Sequence, residues 1–336
     1  MNLLATYFHN WNPVIIELGP LALRWYGFAY LMGFVAAILL LRFLHQKQRY
    51  VIGGEQVSDF IVMGAVFGVL LGGRLGYFFF YWLPTYGFEA WMQDFFYFIR
   101  FWDGGMASHG GILGLMFYSL WYAKKHQLSW TALGDGLCVV APLGIGFGRL
   151  ANFINGELYG RIVHGFDGAM LFPGELLVSK DSGTRGLDAA RAGWHLLPET
   201  LQHAPYQTQL HWMIEEALSN EAIAKHLASF CEPRYPSQLY QAGMEGFGLC
   251  AILFAIRWFW KSAPAGLLTG IFFIGYAFCR ILGEQFREPD SALIGIFTKG
   301  QFYSFFMIFI GLGFILWSMR AKLKQSKILA AMFHEK

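Results

Sequence analysis

Seven stretches of the 336-residue chain are almost unbroken in apolar side chains, near 21–41, 57–82, 108–123, 135–155, 238–257, 265–284 and 302–319. Each approaches the roughly 20 residues that carry a helix across hydrocarbon. The pattern therefore predicts about seven transmembrane helices, the third short and the fourth rich in glycine. Between the fourth and fifth runs the pattern changes. A polar stretch at about 160–235 is too long for an ordinary connection. Within it QLHWMIEEALSNEAIAKHLASF spaces its apolar residues at helical intervals, while SKDSGTRG reads as flexible. This stretch is expected to form a small head domain, dividing the chain into 1–160, 161–235 and 236–336. Ahead of the first run, NPVIIELGPLALRWYG alternates and carries Gly-Pro, which predicts a short hairpin at the membrane interface. The expected fold class is an all-α integral membrane protein with a small extracytoplasmic head and a short N-terminal interfacial segment.

Loop charges orient these runs. Arg42, Lys47 and Arg49 follow the first run, Lys124 and Lys125 the third, Arg257 and Lys261 the fifth, and Arg320, Lys322, Lys324 and Lys327 the last. All fall on one side of an alternating topology, as basic cytoplasmic loops require. The N-terminus is then outside and the C-terminus inside. Outside also lie 83–105, the head and the loop 284–299.

Composition agrees with this class. Charged residues make up 14% of the chain, against about 25% in a soluble domain. A net charge of +3 gives a nucleic-acid partner no electrostatic support. Three of the four cysteines sit in apolar runs and no CxxC occurs, so neither a disulfide framework nor a thiolate metal site is expected. No His/Cys/Asp cluster has ligand spacing, and no cofactor or metal is expected. The N-terminus lacks a basic region and a small-residue cleavage site, so the first helix is expected to direct insertion itself.

Ionisable side chains at membrane depth are costly and usually functional. Arg74 sits in GVLLGGRLGY and could snorkel to head groups or pair with a carboxylate. Arg149 precedes Asn152, Asn155 and Glu157 in a glycine-rich helix end, a polar density with no packing rationale. Tyr276, Arg280, Glu284 and Arg287 have the spacing of one helical stripe, which an i,i+4 ion pair alone could explain. His109 opens an apolar run and is followed by two glycines, which let a lipid or a backbone approach. Other small-xxx-small pairs, such as Gly72/Gly76, Gly110/Gly114 and Gly144/Gly148, are adequately explained by close helix packing. Permanently charged guanidiniums near the outer leaflet suit a phosphate, whose oxygens accept two parallel bonds from the planar fork. The residues alone reach a phospholipid-handling membrane protein with an outward anionic site. A transporter would need polar residues continuing to the cytoplasmic side, and a receptor a cytoplasmic signalling segment.

At GRLANFINGELYG (148–160) the chain resembles the prolipoprotein diacylglyceryl transferases. LRWYGFAYLMGF (23–34), GGRLGY (72–77), GGMASHGG (104–111), YPSQLYQAGMEG (235–246), YAFCRILGEQFREPD (276–290) and KGQFYS (299–304) are similar to the same family in the same order. The resemblance covers most of the chain outside roughly 175–232, a stretch longer than the family leads one to expect. It implies a seven-helix inner-membrane enzyme with a site open to the outer leaflet. The implied reaction moves sn-1,2-diacylglyceryl from phosphatidylglycerol to the lipobox cysteine of a prolipoprotein signal peptide, releasing glycerol phosphate. The match puts the lipid-binding arginine at Arg149, the second essential arginine at Arg280 and the important histidine at His109. Tyr26, Asn152, Glu157, Gly160, Tyr276 and Glu284 occupy further family positions, with substrate-binding roles. His109 is the candidate base for the thiol, or else a lipid-binding residue.

Overall fold

The computed structural model describes residues 7–19, 21–289 and 293–334. Pro20 of the predicted hairpin turn, the start of the N-terminal segment and positions 290–292 of the loop 284–299 lie outside the described residues. The chain is mostly helical. Each of the seven apolar runs falls on a helix. Among the described residues, five helices are long and apolar enough to cross a membrane: α1 (Trp25–Gln46), α2 (Gln56–Gln93), α4 (Trp130–Ile154), α8 (Ser237–Phe259) and α10, apolar over Lys299–Leu323. The other two runs form α3 (Ser108–Lys125) and the 17-residue α9 (Leu267–Gly283). Two stretches of α2 are wound as π-helix, and Gly87 near its end takes φ 83 and breaks the helical backbone.

Among the described residues, two small two-stranded sheets accompany the helices. The hairpin predicted ahead of α1 is present: β2 (Val14–Leu18) pairs antiparallel with β3 (Leu21–Arg24). Its alternation matches the two-residue period of a strand. A parallel pairing joins β1 (Tyr7–Phe8) to β4 (Met170–Leu171), whose partners lie far apart in sequence. SKDSGTRG carries helical backbone at both ends. Ser179–Ser182 makes one helical turn, Gly183 takes φ 56, and α5 (Arg185–Ala192) begins two residues later.

The described residues fall into two compact units. The first comprises the chain up to Gly33, Pro142–Leu249 and Gly275–Ile308. Here α5, α6 (Tyr206–Glu216) and α7 (Glu221–Ala228) enclose an apolar core that includes Leu176, Ala189, Leu210, Met213 and Leu227. One predicted helical segment became two, because the Asn220 side chain accepts from the backbone N–H groups of Ala222 and Ile223 and starts α7 afresh. Beneath this core, the wholly buried Glu175 pairs with Arg234, itself 1% exposed, and with Arg185 at 3.0 Å. Arg234 also reaches Glu288 at 3.4 Å, so the buried charges share their partners.

The second unit comprises Phe34–Ala141, Cys250–Ile274 and the chain from Phe309. Within it, α2 and α3 pack closely. A Cβ added to Gly76 would stand 2.5 Å from Gly110 Cα, and one on Gly72 would stand 2.6 Å from Gly110 O. The Gly72/Gly76 and Gly110/Gly114 spacings therefore serve close packing, as read from sequence. The buried Asp135 accepts from the Gly266 and Thr269 N–H groups at 2.9 and 2.8 Å, satisfying the open first turn of α9.

Candidate active site

In the first unit, α4 and α8 touch through backbone. A Cβ on Gly246 would sit 2.4 Å from Gly146 Cα, so nothing larger than glycine permits this approach. The contact brings Arg149, one turn beyond Gly146, to Glu245, which precedes Gly246. Arg149 donates through Nη2 and Nε to Glu245 Oε2, at 3.0 and 3.3 Å. Arg280, from α9, donates to Oε1 of the same carboxylate at 3.4 Å. Its Nη2 meets Glu284 Oε1 at 2.6 Å, four residues on. The Glu245 side chain is fully buried, whereas those of Arg149 and Arg280 keep 14% and 15% of their surface exposed.

Glycines make room for this cluster. A Cβ on Gly300 would meet Glu284 Oε1 at 2.7 Å and Arg280 Nε at 3.0 Å, so only a glycine lets the start of α10 reach the pair. Gly148 behaves differently from the expected Gly144/Gly148 packing pair. An added Cβ there would meet nothing within 4 Å, leaving open space beside Arg149.

A second group of predicted residues gathers where α4 ends. Tyr26 donates its hydroxyl to Glu157 Oε2 at 2.8 Å, and the Asn152 amide donates to the Tyr26 oxygen. The chain turns between them with Gly156 at φ 66 and Leu158 at φ 54. Gln238 Nε2 holds the Glu157 carbonyl at 2.6 Å and Ser237 Oγ the Leu158 carbonyl at 3.0 Å. Gly156 packs on the buried His9, which stacks on Phe172 with centroids 5.2 Å apart. Burial holds the His9 imidazole below its ordinary pKa.

Gly160 has a backbone role. Its N–H donates to Tyr235 O, Arg161 N–H to Phe286 O, and the Arg234 guanidinium donates to Gly160 O at 3.1 Å. A Cβ at 160 would stand 2.4 Å from Tyr235 O and 2.6 Å from Phe286 O. Three segments of chain meet there with no space for a side chain. Arg287 belongs to this junction, bridging Gly160. The predicted stripe must be shortened accordingly, because α9 ends at Gly283 and Arg287 has left the helix. Tyr276, Arg280 and Glu284 remain in register, and Tyr276 stands one turn before Arg280.

His109 belongs to the second unit, exposed in the first turn of α3. The structure thus gathers Tyr26, Arg149, Asn152, Glu157, Gly160, Tyr276, Arg280 and Glu284 in one unit, and His109 in the other. Arg74, also in the second unit, neither snorkels nor meets a carboxylate. It is wholly buried and donates to the carbonyls of Gly104, Gly105 (3.2 Å) and Tyr97 (2.9 Å), with the Tyr97 ring stacked on it. Arg74 therefore fixes the loop that leads into His109.

Sequence reasoning missed Glu245. The rule that singles out Arg149 applies equally to it, as the acidic residue within the apolar run 238–257. Gln241, one turn earlier, is also fully buried, and neither of its amide atoms has a partner among the described residues.

Membrane-length apolar helices, with a buried guanidinium–carboxylate cluster among them, define the class as an integral membrane protein. Residues 13–317 match the profile of the prolipoprotein diacylglyceryl transferases. A phosphatidylglycerol–prolipoprotein diacylglyceryl transferase of Cronobacter sakazakii is 36% identical over 97% of this chain and 99% of its own length. The enzyme of the same name from Pectobacterium carotovorum is 37% identical over 93% and 95%, and that from Nitrosomonas europaea 36% over 95% and 94%. The chain belongs to the prolipoprotein diacylglyceryl transferase family.

Proposed function

We propose that this protein transfers the sn-1,2-diacylglyceryl group of phosphatidylglycerol to the lipobox cysteine of a prolipoprotein signal peptide and releases glycerol phosphate. The observation that carries this reading is the pair of guanidiniums, Arg149 and Arg280, held on one buried carboxylate in a chain of this family. Arg149 uses Nε and Nη2 on Glu245, so its Nη1 side is available for a phosphate oxygen.

In the reaction the cysteine thiolate attacks the glyceryl carbon bonded to the phosphate oxygen. A carbon–sulfur bond forms, the carbon–oxygen bond breaks, and the electron pair leaves with glycerol phosphate. Negative charge on the departing phosphate rises, so fixed guanidiniums stabilise the transition state more than the bound lipid. His109 takes the thiol proton, an imidazole being suited to this near neutral pH. Tyr26, Asn152 and Glu157 form a hydrogen-bonded wall for the lipid head group, and Tyr276 lines the arginine side.

The same reading sets seven helices across the bacterial inner membrane, with N-terminus and head periplasmic, C-terminus cytoplasmic and the site facing the outer leaflet. Loop charges support it: Arg42, Lys47 and Arg49, then Lys124 and Lys125, follow alternate spans and so fall on one side. In sealed, correctly oriented vesicles, single cysteines placed in 165–230 should label from outside, and Lys47→Cys should not. External labelling at position 47 would overturn this orientation. The reaction itself is tested by incubating purified protein with labelled phosphatidylglycerol and a lipobox peptide. The expected product is a thioether-linked diacylglyceryl peptide, and unmodified peptide from folded protein would refute the assignment.

A further inference from the structure

Glu245 is the fully buried carboxylate on which Arg149 and Arg280 meet, and it stands on a third helix. The backbone around it, Ala242–Gly248, is wound as π-helix, a geometry frequent at functional sites. Two guanidiniums brought this close without an intervening anion would repel one another. Their shared carboxylate holds each on one side. It engages Arg149 through Nε and Nη2 and Arg280 through Nη1, while Glu284 takes Nη2 of Arg280. Two cations and two carboxylates leave the cluster formally neutral before lipid arrives. Glu245 thus has two opposing effects on an incoming phosphate. It repels the bound anion, yet it keeps both forks in the geometry that the leaving phosphate requires.

Building on the transfer reaction above, we infer that Glu245 is a positioning residue that pre-aligns Arg149 and Arg280 as one anion clamp. Ground-state affinity for lipid is given up in exchange for turnover. A merely structural ion pair would not separate those two quantities. Glu245→Gln keeps the size of the side chain but presents an amide NH₂ to a guanidinium that needs an acceptor. One arginine loses its seat, and a displacement of about 1 Å in a reacting site can lower the rate roughly 10²-fold. Loss of a negative charge beside the phosphate should meanwhile leave the lipid KM unchanged or lower it.

The test measures kcat and the phosphatidylglycerol KM of wild type, Glu245→Gln and Glu245→Asp, with a lipobox peptide in lipid nanodiscs. Melting profiles confirm that each preparation is folded. Glu245→Asp retains the charge but withdraws it by one methylene, so it decides the matter if the glutamine variant does not fold. The expected result is a fall in kcat of about 10- to 100-fold, larger for glutamine, with KM not raised. Wild-type kcat in either folded variant, with or without a lower KM, would overturn the positioning role. A raised KM at unchanged kcat would overturn it as well. Absence of product from the wild-type arm would instead refute the transfer reaction itself.

Discussion

Replacing Arg149 by lysine isolates the planar fork from the charge. The cation persists, so Glu245 keeps a counter-ion and the buried cluster stays neutral. What disappears is simultaneous bonding. Arg149 gives two donors to Glu245 Oε2, at 3.0 and 3.3 Å, and keeps its Nη1 side for an anion. An ammonium is a point donor on a flexible stem. If it stays on Glu245, the leaving phosphate loses a donor fixed in a site 14% exposed. If it turns to the phosphate, Glu245 keeps Arg280 alone. Loss of one donor aimed at developing charge costs roughly 10²–10³ in kcat, or about 2.7–4 kcal/mol. The expected outcome for Arg149→Lys is therefore a fall of that size, with the lipid KM changing much less. Initial rates of thioether formation across a phosphatidylglycerol series measure both constants, and a melting profile controls for folding. Turnover within about fivefold of wild type, about 1 kcal/mol on the barrier, would refute the claim that the fork of Arg149 matters.

His109→Gln should slow transfer by about 10²–10⁴-fold at neutral pH and recover part of the rate as pH nears the thiol's own value of about 8.5. A deficit equal at all pH values, with a raised lipid KM, would reassign His109 to lipid binding. Arg74→Met removes a cation that donates to Gly104, Gly105 and Tyr97 carbonyls, charge-assisted bonds worth about 1.5–3 kcal/mol each before the cation's own desolvation is subtracted. The variant should melt at lower temperature and lose turnover through the loop before His109. An unchanged melting temperature would show that those carbonyls find other partners.

The apolar runs were legible as helices because the requirement is one-dimensional. Backbone groups in lipid must bond within their own segment, and this demands a long apolar stretch wherever it occurs. The hairpin ahead of α1 was legible for a similar reason, since strand alternation is local. Arg149, Arg280 and Glu284 were conspicuous because charge in an apolar run is costly.

Partners were not legible. Nothing in the sequence pattern couples Glu245 to Arg149 across 96 residues; the backbone contact at Gly146 and Gly246 does that. Glycine at 160 stood out only through the family resemblance, and the two carbonyls from distant segments that its missing Cβ admits were not legible. Arg74 read as a snorkelling or paired charge, and its carbonyl partners at 97, 104 and 105 appear once α2 and α3 are packed. Arg287 fitted a helical stripe until α9 stopped at Gly283. The sequence by itself determined which segments are helical and which charges are out of place, because propensity and solvation act residue by residue. The tertiary structure alone decided which charge meets which, because that depends on how closely two backbones approach, a distance with no period along the chain.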